Sequence, residues 1–437
     1  MRDLRYSDLL MLNGAGASKA CGLPDMRQFA QLFREQVRSL DDVASPTLDL
    51  LDDILSRDDE PVTDLEGLMT ALTSLSGEVQ DPAAELLLRN AALSERNLAS
   101  SVERLSDYLG EWTTMAPLTA GPYQIITKGA VFPISGPILS SPSLALDASG
   151  LISRPVRDSP LTATRTDIGG ITRDRVDKHR ASLSAARQVL DDWKGYFAGL
   201  KPAAAELLKR LKSDIQNTYS TYKARPAGRS YRPLLNELLR RFPYLDVFTL
   251  NYDMVVEGVL SSSRHGCFTG FRTSGNREWH NAFPSPVAPK GSVRLYKLHG
   301  SVNWFQMGRK VIELPAGITS ITTSAGAAQN MLIYPITQKL VYGEPHLTLF
   351  HHFARALRAA RLCLIIGCSL RDDLVSSTLA FAARDRPDLR FIFCGSPDAV
   401  AANTWLKPFS RRFLVMERRF GDDAFLTELK GILDTTV

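Results

Sequence analysis

The sequence predicts an α/β protein: a doubly wound, mostly parallel sheet interrupted by a large, mainly helical insertion. Two observations predict it. Beyond Tyr231, short apolar runs alternate with segments of helical spacing, the pattern of strands covered on both faces by helices. Near the N-terminus, Leu9-Leu10-Met11-Leu12 forms one more apolar run that has no partner strand nearby. It must therefore pair with the distant C-terminal half.

The elements follow in order. The first run ends in Asn13-Gly14-Ala15-Gly16, and Met26 to Leu40 then carries Phe29, Leu32, Phe33 and Val37 at helical spacing, so strand, tight turn and helix are expected. Ser45-Pro46, Asp64 and Asp81-Pro82 are helix-start signals, consistent with four short helices before about residue 116. Pro117 to Thr172 is rich in Gly, Pro, Ser and Thr, with strand-like runs at Tyr123 to Ile126 and Gly129 to Ile134. A loop of that length is either functional, as a lid or assembly surface, or disordered. Arg173 to Leu200 and Pro202 to Tyr222 pattern as a long antiparallel helix pair. Strands are then expected at Leu245–Leu250, Val293–Leu298, Met331–Tyr334, Leu362–Ile366 and Leu389–Cys394, with helices at His346–Ala360 and Asp373–Ala383. This divides the chain into a discontinuous sheet domain, 1–45 and 231–437, and an insertion, 46–230, that contains the 117–172 loop.

Composition narrows the class. A chain of 437 residues, 44% hydrophobic, can bury a large core. No run approaches the ~20 apolar residues that span a bilayer, and Met1 to Ser7 has no apolar signal core, so a cytoplasmic protein is expected. Cys21, Cys267, Cys363, Cys368 and Cys394 are scattered without a Cys-x-x-Cys pair, which suits a reducing compartment and gives no reason to expect structural zinc. His265 with Cys267 is the one close His/Cys pair. The net charge of +5 is spread along the chain, so nucleic-acid binding is not evident. Arg240-Arg241 and Arg411-Arg412 pattern as solvated faces, though a partner protein could use them.

The chemistry begins at the glycine turn. A Gly-x-Gly between strand and helix lets backbone amides approach a pyrophosphate at a helix N-terminus, in a Rossmann-like arrangement. Alone the signal is weak, because Lys19 stands where a dehydrogenase fingerprint has its third glycine. Its company adds specificity. Gly14-Ala15-Gly16-Ala17-Ser18 followed by Gly22-Leu23-Pro24-Asp25-Met26-Arg27 resembles the opening of the sirtuins. Downstream, Thr249-Leu250-Asn251-Tyr252-Asp253 resembles the sirtuin Thr-Gln-Asn-Ile-Asp strand end. Lys297-Leu298-His299-Gly300-Ser301 is similar to its His-Gly catalytic loop, and Gly367-Cys368-Ser369-Leu370 to its Gly-Thr-Ser ribose loop. All four fall at expected strand ends, where ligands gather in an open α/β sheet.

The resemblance implies a role for each position. Ala15, Gly16 and Ser18 would hold the pyrophosphate of NAD, and Asp25 and Arg27 would lie in the loop closing over nicotinamide. Asn251 would orient the nicotinamide ribose or a water, and Asp253 would accept from the carboxamide. His299 would be the general base, suited by an imidazole pKa near neutrality. Gly367 and Ser369 would meet the adenosine ribose, with Gly395 and Ser396 near the adenine. Asp372-Asp373 is expected only to cap a helix, and His351-His352 to be structural.

The sequence departs from the family's protein deacylases after His299. Their zinc module has two Cys-x-x-Cys pairs, whereas His299 to Gly367 contains only Cys363. Without the module an acyl-lysine peptide is a doubtful substrate, while NAD is not. Zinc-less sirtuin-like domains with helical additions resemble bacterial NAD-hydrolysing effectors of antiviral defence, some of which assemble with a HerA-type ATPase or an Argonaute protein. The expectation is an NAD hydrolase giving nicotinamide and ADP-ribose, gated by homo-oligomerisation or by a partner ATPase. The alternatives are an NAD-dependent deacylase or ADP-ribosyltransferase, or a catalytically silent NAD or ADP-ribose sensor.

Overall fold

The computed structural model describes residues 4–40, 44–55, 65–76, 125–127, 130–132, 200–221, 224–272, 277–315, 322–323, 326–335 and 343–436. The chain forms two compact units: Met1–Gln36, Thr63–Glu66 and Arg210–Val437 in one, Val37–Val62 and Gly67–Lys209 in the other.

The strands are β1 (Leu9–Asn13), β2 (Ile125–Thr127), β3 (Ala130–Phe132), β4 (Tyr244–Thr249), β5 (Gly266–Phe268), β6 (Ser292–Lys297) and β7 (Gly300–Met307). They continue with β8 (Lys310–Glu313), β9 (Thr322–Thr323), β10 (Gly326–Ala327), β11 (Gln329–Leu332), β12 (Leu362–Ile366), β13 (Arg390–Cys394) and β14 (Phe413–Met416). In the first unit seven of them form a sheet in the order β14-β13-β12-β1-β4-β6-β5. Every neighbouring pair in it is parallel. β1 thus lies between β4 and β12, far from both in sequence, as its isolated apolar run required.

Burial explains the strand composition. β1, β4, β6 and β12 are buried along their whole length, which a sheet covered on both faces demands. Aromatic pairs stack across in-register positions: Phe248 on Tyr296 at 4.3 Å and Phe391 on Phe413 at 4.5 Å between ring centroids. One pair in this apolar setting is charged. Asp246 and Arg294 are also in register, with Arg294 Nε and Nη2 donating to the two carboxylate oxygens at 2.7 and 2.9 Å. The Ser7 N–H and the Arg5 carbonyl complete the cluster, so neither charge is left unsatisfied.

Other elements differ from the sequence expectation. The run around Met331 does not join the main sheet: β11 pairs antiparallel with β7, and β7 with β8, in a separate three-stranded sheet. A short apolar run does not say which sheet it joins; Met331 and its neighbours are only half-buried, unlike the fully buried strands of the main sheet. Leu32, expected on the buried stripe of the helix Met26–Ser39, is 53% exposed, while Phe29 and Phe33 are buried. β5, β7, β8, β14 and the C-terminal helix Phe425–Thr436 also belong to the fold, being short or mixed in polarity and so weak in pattern.

In the second unit, helices occupy Ala44–Leu55 and, from Gly67, the rest of Leu65–Ser76. β2 and β3 make a small antiparallel hairpin at the two strand-like runs of the 117–172 loop, where a hairpin is expected. The rest of that loop, residues 173–199, where a helix is expected, and the expected helix start at Asp81-Pro82 lie outside the described residues.

Candidate functional site

The carboxyl ends of β1, β4, β6, β12 and β13 are level with one another, since Asn13 is in register with Thr249 and Ile366, Thr249 with Lys297 and Ile366 with Cys394. Every sequence motif singled out above follows one of these ends. The parallel topology therefore collects residues up to about 380 positions apart along one rim of the sheet, in the crevice where open α/β sheets bind ligands.

At the centre, two backbone turns cross in contact. The Gly14 N–H donates to the Ile366 carbonyl and the Gly16 N–H to Gly367, both at 2.9 Å. A Cβ on Gly14 would lie 2.6 Å from Cys368 Cα, one on Gly16 2.9 Å from Gly367 Cα, and one on Gly367 2.1 Å from the Ala17 nitrogen. Gly367 also has φ +62°, so glycine is required there twice over. The glycines of the first and last motifs are thus packing glycines, and the Gly16 amide is already engaged by protein.

A polar network joins this cradle to the end of β4. Asn251 Nδ2 donates to the Gly14 carbonyl at 2.9 Å and to Ser18 Oγ at 2.8 Å. Ser18 Oγ in turn donates to Asp253 Oδ2 at 2.5 Å, and Asp253 Oδ1 accepts from the N–H of Val255, the first residue of the helix Val255–Ser261. The Gly14 carbonyl, which also accepts from the Ala17 N–H, can only accept, so the Asn251 atom facing it is the amide nitrogen. Its Oδ1 is consequently left buried without a hydrogen-bond partner among the described residues. Such an orphaned acceptor is costly, and a hydroxyl from a bound ligand or water would satisfy it. Cys21 packs beneath; burial first, and then the Asp253 charge, push its thiol up to about 12.

His299 sits in the turn between β6 and β7 and is buried. Its Nε2 is 3.1 Å from Asp372 Oδ2, while Asp372 Oδ1 accepts from the Val375 N–H as the N-cap of the helix Asp373–Asp385. The capping expected from the sequence is therefore present, and the same carboxylate does a second job that spacing alone could not reveal. Gly300, next to His299, has φ +82°, and a Cβ there would meet the Met331 carbonyl at 1.9 Å. Beneath the loop, His346 Nδ1 contacts the Leu298 carbonyl at 3.1 Å. Burial lowers His346 to about 4, although that carbonyl bond pulls the other way, so it is neutral where His299 would work.

The loop Asn251–Asp253 is held from below by the buried Lys297, which donates to Glu257 Oε1 at 2.9 Å and to the Tyr252 and Asp253 carbonyls. The Tyr252 hydroxyl donates to the Ile333 carbonyl at 2.7 Å, and Ser301 Oγ and the Val302 N–H donate to the Tyr252 carbonyl. These contacts make the strand-end loop rigid.

The remaining expected residues are more exposed. Asp25 caps the helix Met26–Ser39 reciprocally with Gln28, the Gln28 N–H donating to Asp25 Oδ1 and Gln28 Oε1 accepting from the Asp25 N–H, a capping box. Burial opposes ionisation of Asp25, but the Gln28 N–H and Lys19 at 2.9 Å outweigh it and bring the carboxyl below its ordinary value. Arg27 and Ser369 point to solvent, Ala15 is half-buried, and Ser396 caps the helix Pro397–Ala402 directly after Gly395. His352 is structural, held between the Tyr6 hydroxyl and Asn281. His265 is taken by Gly291 and Asn236.

Residues 246–413 match the family model of the SIR2-like domain. The matched segment contains Asn251, Asp253, His299, Gly367, Ser369, Asp372, Gly395 and Ser396, whereas the glycine turn after β1 lies ahead of it. Among solved structures, a Sir2 homologue triple mutant with 2'-O-acetyl ADP-ribose is similar at 15% identity and a TM-score of 0.31, over 51% of this chain and 71% of the other. A Sir2 homologue point mutant with ADP-ribose is similar at 13% and 0.33, over 53% and 78%. A Sir2 homologue–NAD complex matches at 13% and 0.33, over 54% and 76%. No curated protein matches the chain.

Proposed function

We propose that the strand-end site binds NAD as a substrate and hydrolyses its nicotinamide–ribose bond, giving nicotinamide and ADP-ribose. The observation that carries this reading is the convergence of the buried Asn251, whose Oδ1 lacks a partner among the described residues, with His299 beside the Asp372 carboxylate, on the rim of a sheet of which residues 246–413 match the SIR2-like model. The residues fit the group. The packed glycine turns bring Ala15, Gly16 and Ser18 to the rim, where they would border the pyrophosphate, and Asn251 Oδ1 offers an acceptor to a ribose hydroxyl or an attacking water.

His299 takes the proton from that hydroxyl or water as the glycosidic bond lengthens, and water supplies the oxygen that replaces nicotinamide on the ribose. Asp372 acts through His299: it orients the ring and stabilises the imidazolium that forms. Asn251, held by Gly14 and Ser18, positions the reacting oxygen at no reorganisation cost. Asp253 fixes Ser18 and the loop, a positioning role favoured over direct contact with the carboxamide because both its oxygens already accept hydrogen bonds. Asp25 and Arg27 border the nicotinamide side, and Gly367, Ser369, Gly395 and Ser396 the adenosine side.

In its biological setting we take the chain to be a cytoplasmic effector of antiviral defence that depletes NAD. Assembly with copies of itself or with a HerA-type ATPase would gate it, through the insertion at 46–230. Purified protein incubated with NAD and no acceptor tests the chemistry. Release of nicotinamide together with free ADP-ribose supports hydrolysis. Strict dependence on an acylated peptide or a protein acceptor would favour deacylation or transfer instead, and NAD binding without any release, with and without candidate partners, would favour a sensor.

A further inference from the structure

At the opposite pole of the sheet, where the strands begin, arginines gather. Arg361 precedes β12, Arg390 opens β13, and Arg411 and Arg412 precede β14. Leu362 is in register with Arg390, and Phe391 with Phe413, so these side chains leave neighbouring strands only ~5 Å apart. They line a cavity of about 550 Å³, into which Asp8 also faces from the start of β1.

Like charges side by side on adjacent strands are destabilising, and the protein offsets them only in part. The Asp388 carboxylate at the cavity wall is held by Arg386, at 2.5 and 2.8 Å. Arg412 donates to the Ala383 and Arg386 carbonyls. The exposed guanidinium groups of Arg361, Arg390 and Arg411 make no ion pair or hydrogen bond among the described residues. Arg361 also acts on the Asp388 carboxylate from a distance, but the four arginines lining the cavity outnumber its two carboxylates, Asp8 and Asp388, and leave it positive.

We propose that this cavity binds a small anion carrying a chain of phosphates, of the di- or triphosphate class, between Arg361, Arg390 and Arg411. Guanidinium forks match phosphate oxygens in pairs, and the volume falls in the ~300–1,000 Å³ range of small-ligand sites. A nucleic-acid strand carries the same phosphate chemistry but needs a basic track along the surface. Here the arginines converge on one concavity instead. The site is at the far pole from the strand-end rim, so it does not depend on the NAD reading.

Calorimetric titration of the whole chain with inorganic triphosphate, alongside a single-stranded oligonucleotide, tests it. One triphosphate per chain is expected. Arg361→Ala, Arg390→Ala and Arg411→Ala should each weaken binding about threefold to tenfold with a melting temperature equal to or slightly above that of the wild type, the triple variant should abolish it, and His299→Ala should bind as the wild type does. Absence of binding, or wild-type affinity in all three arginine variants, would overturn the proposal. So would tighter binding of the oligonucleotide through the same arginines, which would make a polymer the ligand.

Discussion

At the residue scale, Asp372 is the most informative side chain. One carboxylate caps a helix through Oδ1 and lies 3.1 Å from His299 through Oδ2, so the helix start fixes where the imidazole points. Asparagine caps helices as well as aspartate does but carries no charge. Asp372→Asn is therefore expected to keep the fold and the affinity for NAD while lowering the rate of nicotinamide release about tenfold or more, measured as kcat against a directly titrated Kd. A matching loss of NAD affinity would mean that Asp372 acts on the nucleotide rather than on His299. Asn251, His299 and the glycine turn were legible in the sequence because each motif ends a strongly apolar run. Asp372 was not. An acidic residue before a helix is the ordinary N-cap signature, and nothing in its spacing announces a partner 73 positions away that only the sheet brings near.

At the scale of elements, the pairing of β4 with β6 carries both an aromatic stack and an ion pair. Phe248 on Tyr296 follows from apolar patterning, whereas Asp246 opposite Arg294 does not, since a charge inside a strand ordinarily signals a solvent-facing position. Removing one partner leaves the other charge buried, and Asp246→Ala is expected to cost about 3–5 kcal/mol, read from the denaturant midpoint. A change below ~1 kcal/mol would show that water reaches Arg294. The main sheet was legible for a related reason. Strands buried on both faces are short continuous apolar runs, and β1, β4, β6, β12 and β13 were found within one or two residues of their ends. The side sheet β11-β7-β8 was hidden because its strands are mixed in polarity and its neighbours antiparallel.

At the scale of the whole molecule, the buried histidines set an acid limit. His346 and His352 both have their pKa lowered from 6.5 to about 4, chiefly by burial. The unfolded chain therefore binds protons that the folded chain refuses between those values, and stability falls as pH drops from about 6.5 towards 4. The two groups together account for a loss on the order of several kcal/mol across that window. Melting temperatures measured from pH 7 to 4.5 should decline accordingly, and His352→Gln, which cannot take up a proton, should flatten the decline. An unchanged slope in that variant would place the acid sensitivity elsewhere.

The proposed hydrolysis requires His299 as the base of a site assembled from five strand ends. The most direct measurement pairs NAD binding with nicotinamide release for the wild type and His299→Ala. Binding within a few-fold of wild type with release reduced about 10²- to 10⁴-fold is the predicted result. Hydrolysis at the wild-type rate by His299→Ala would contradict it.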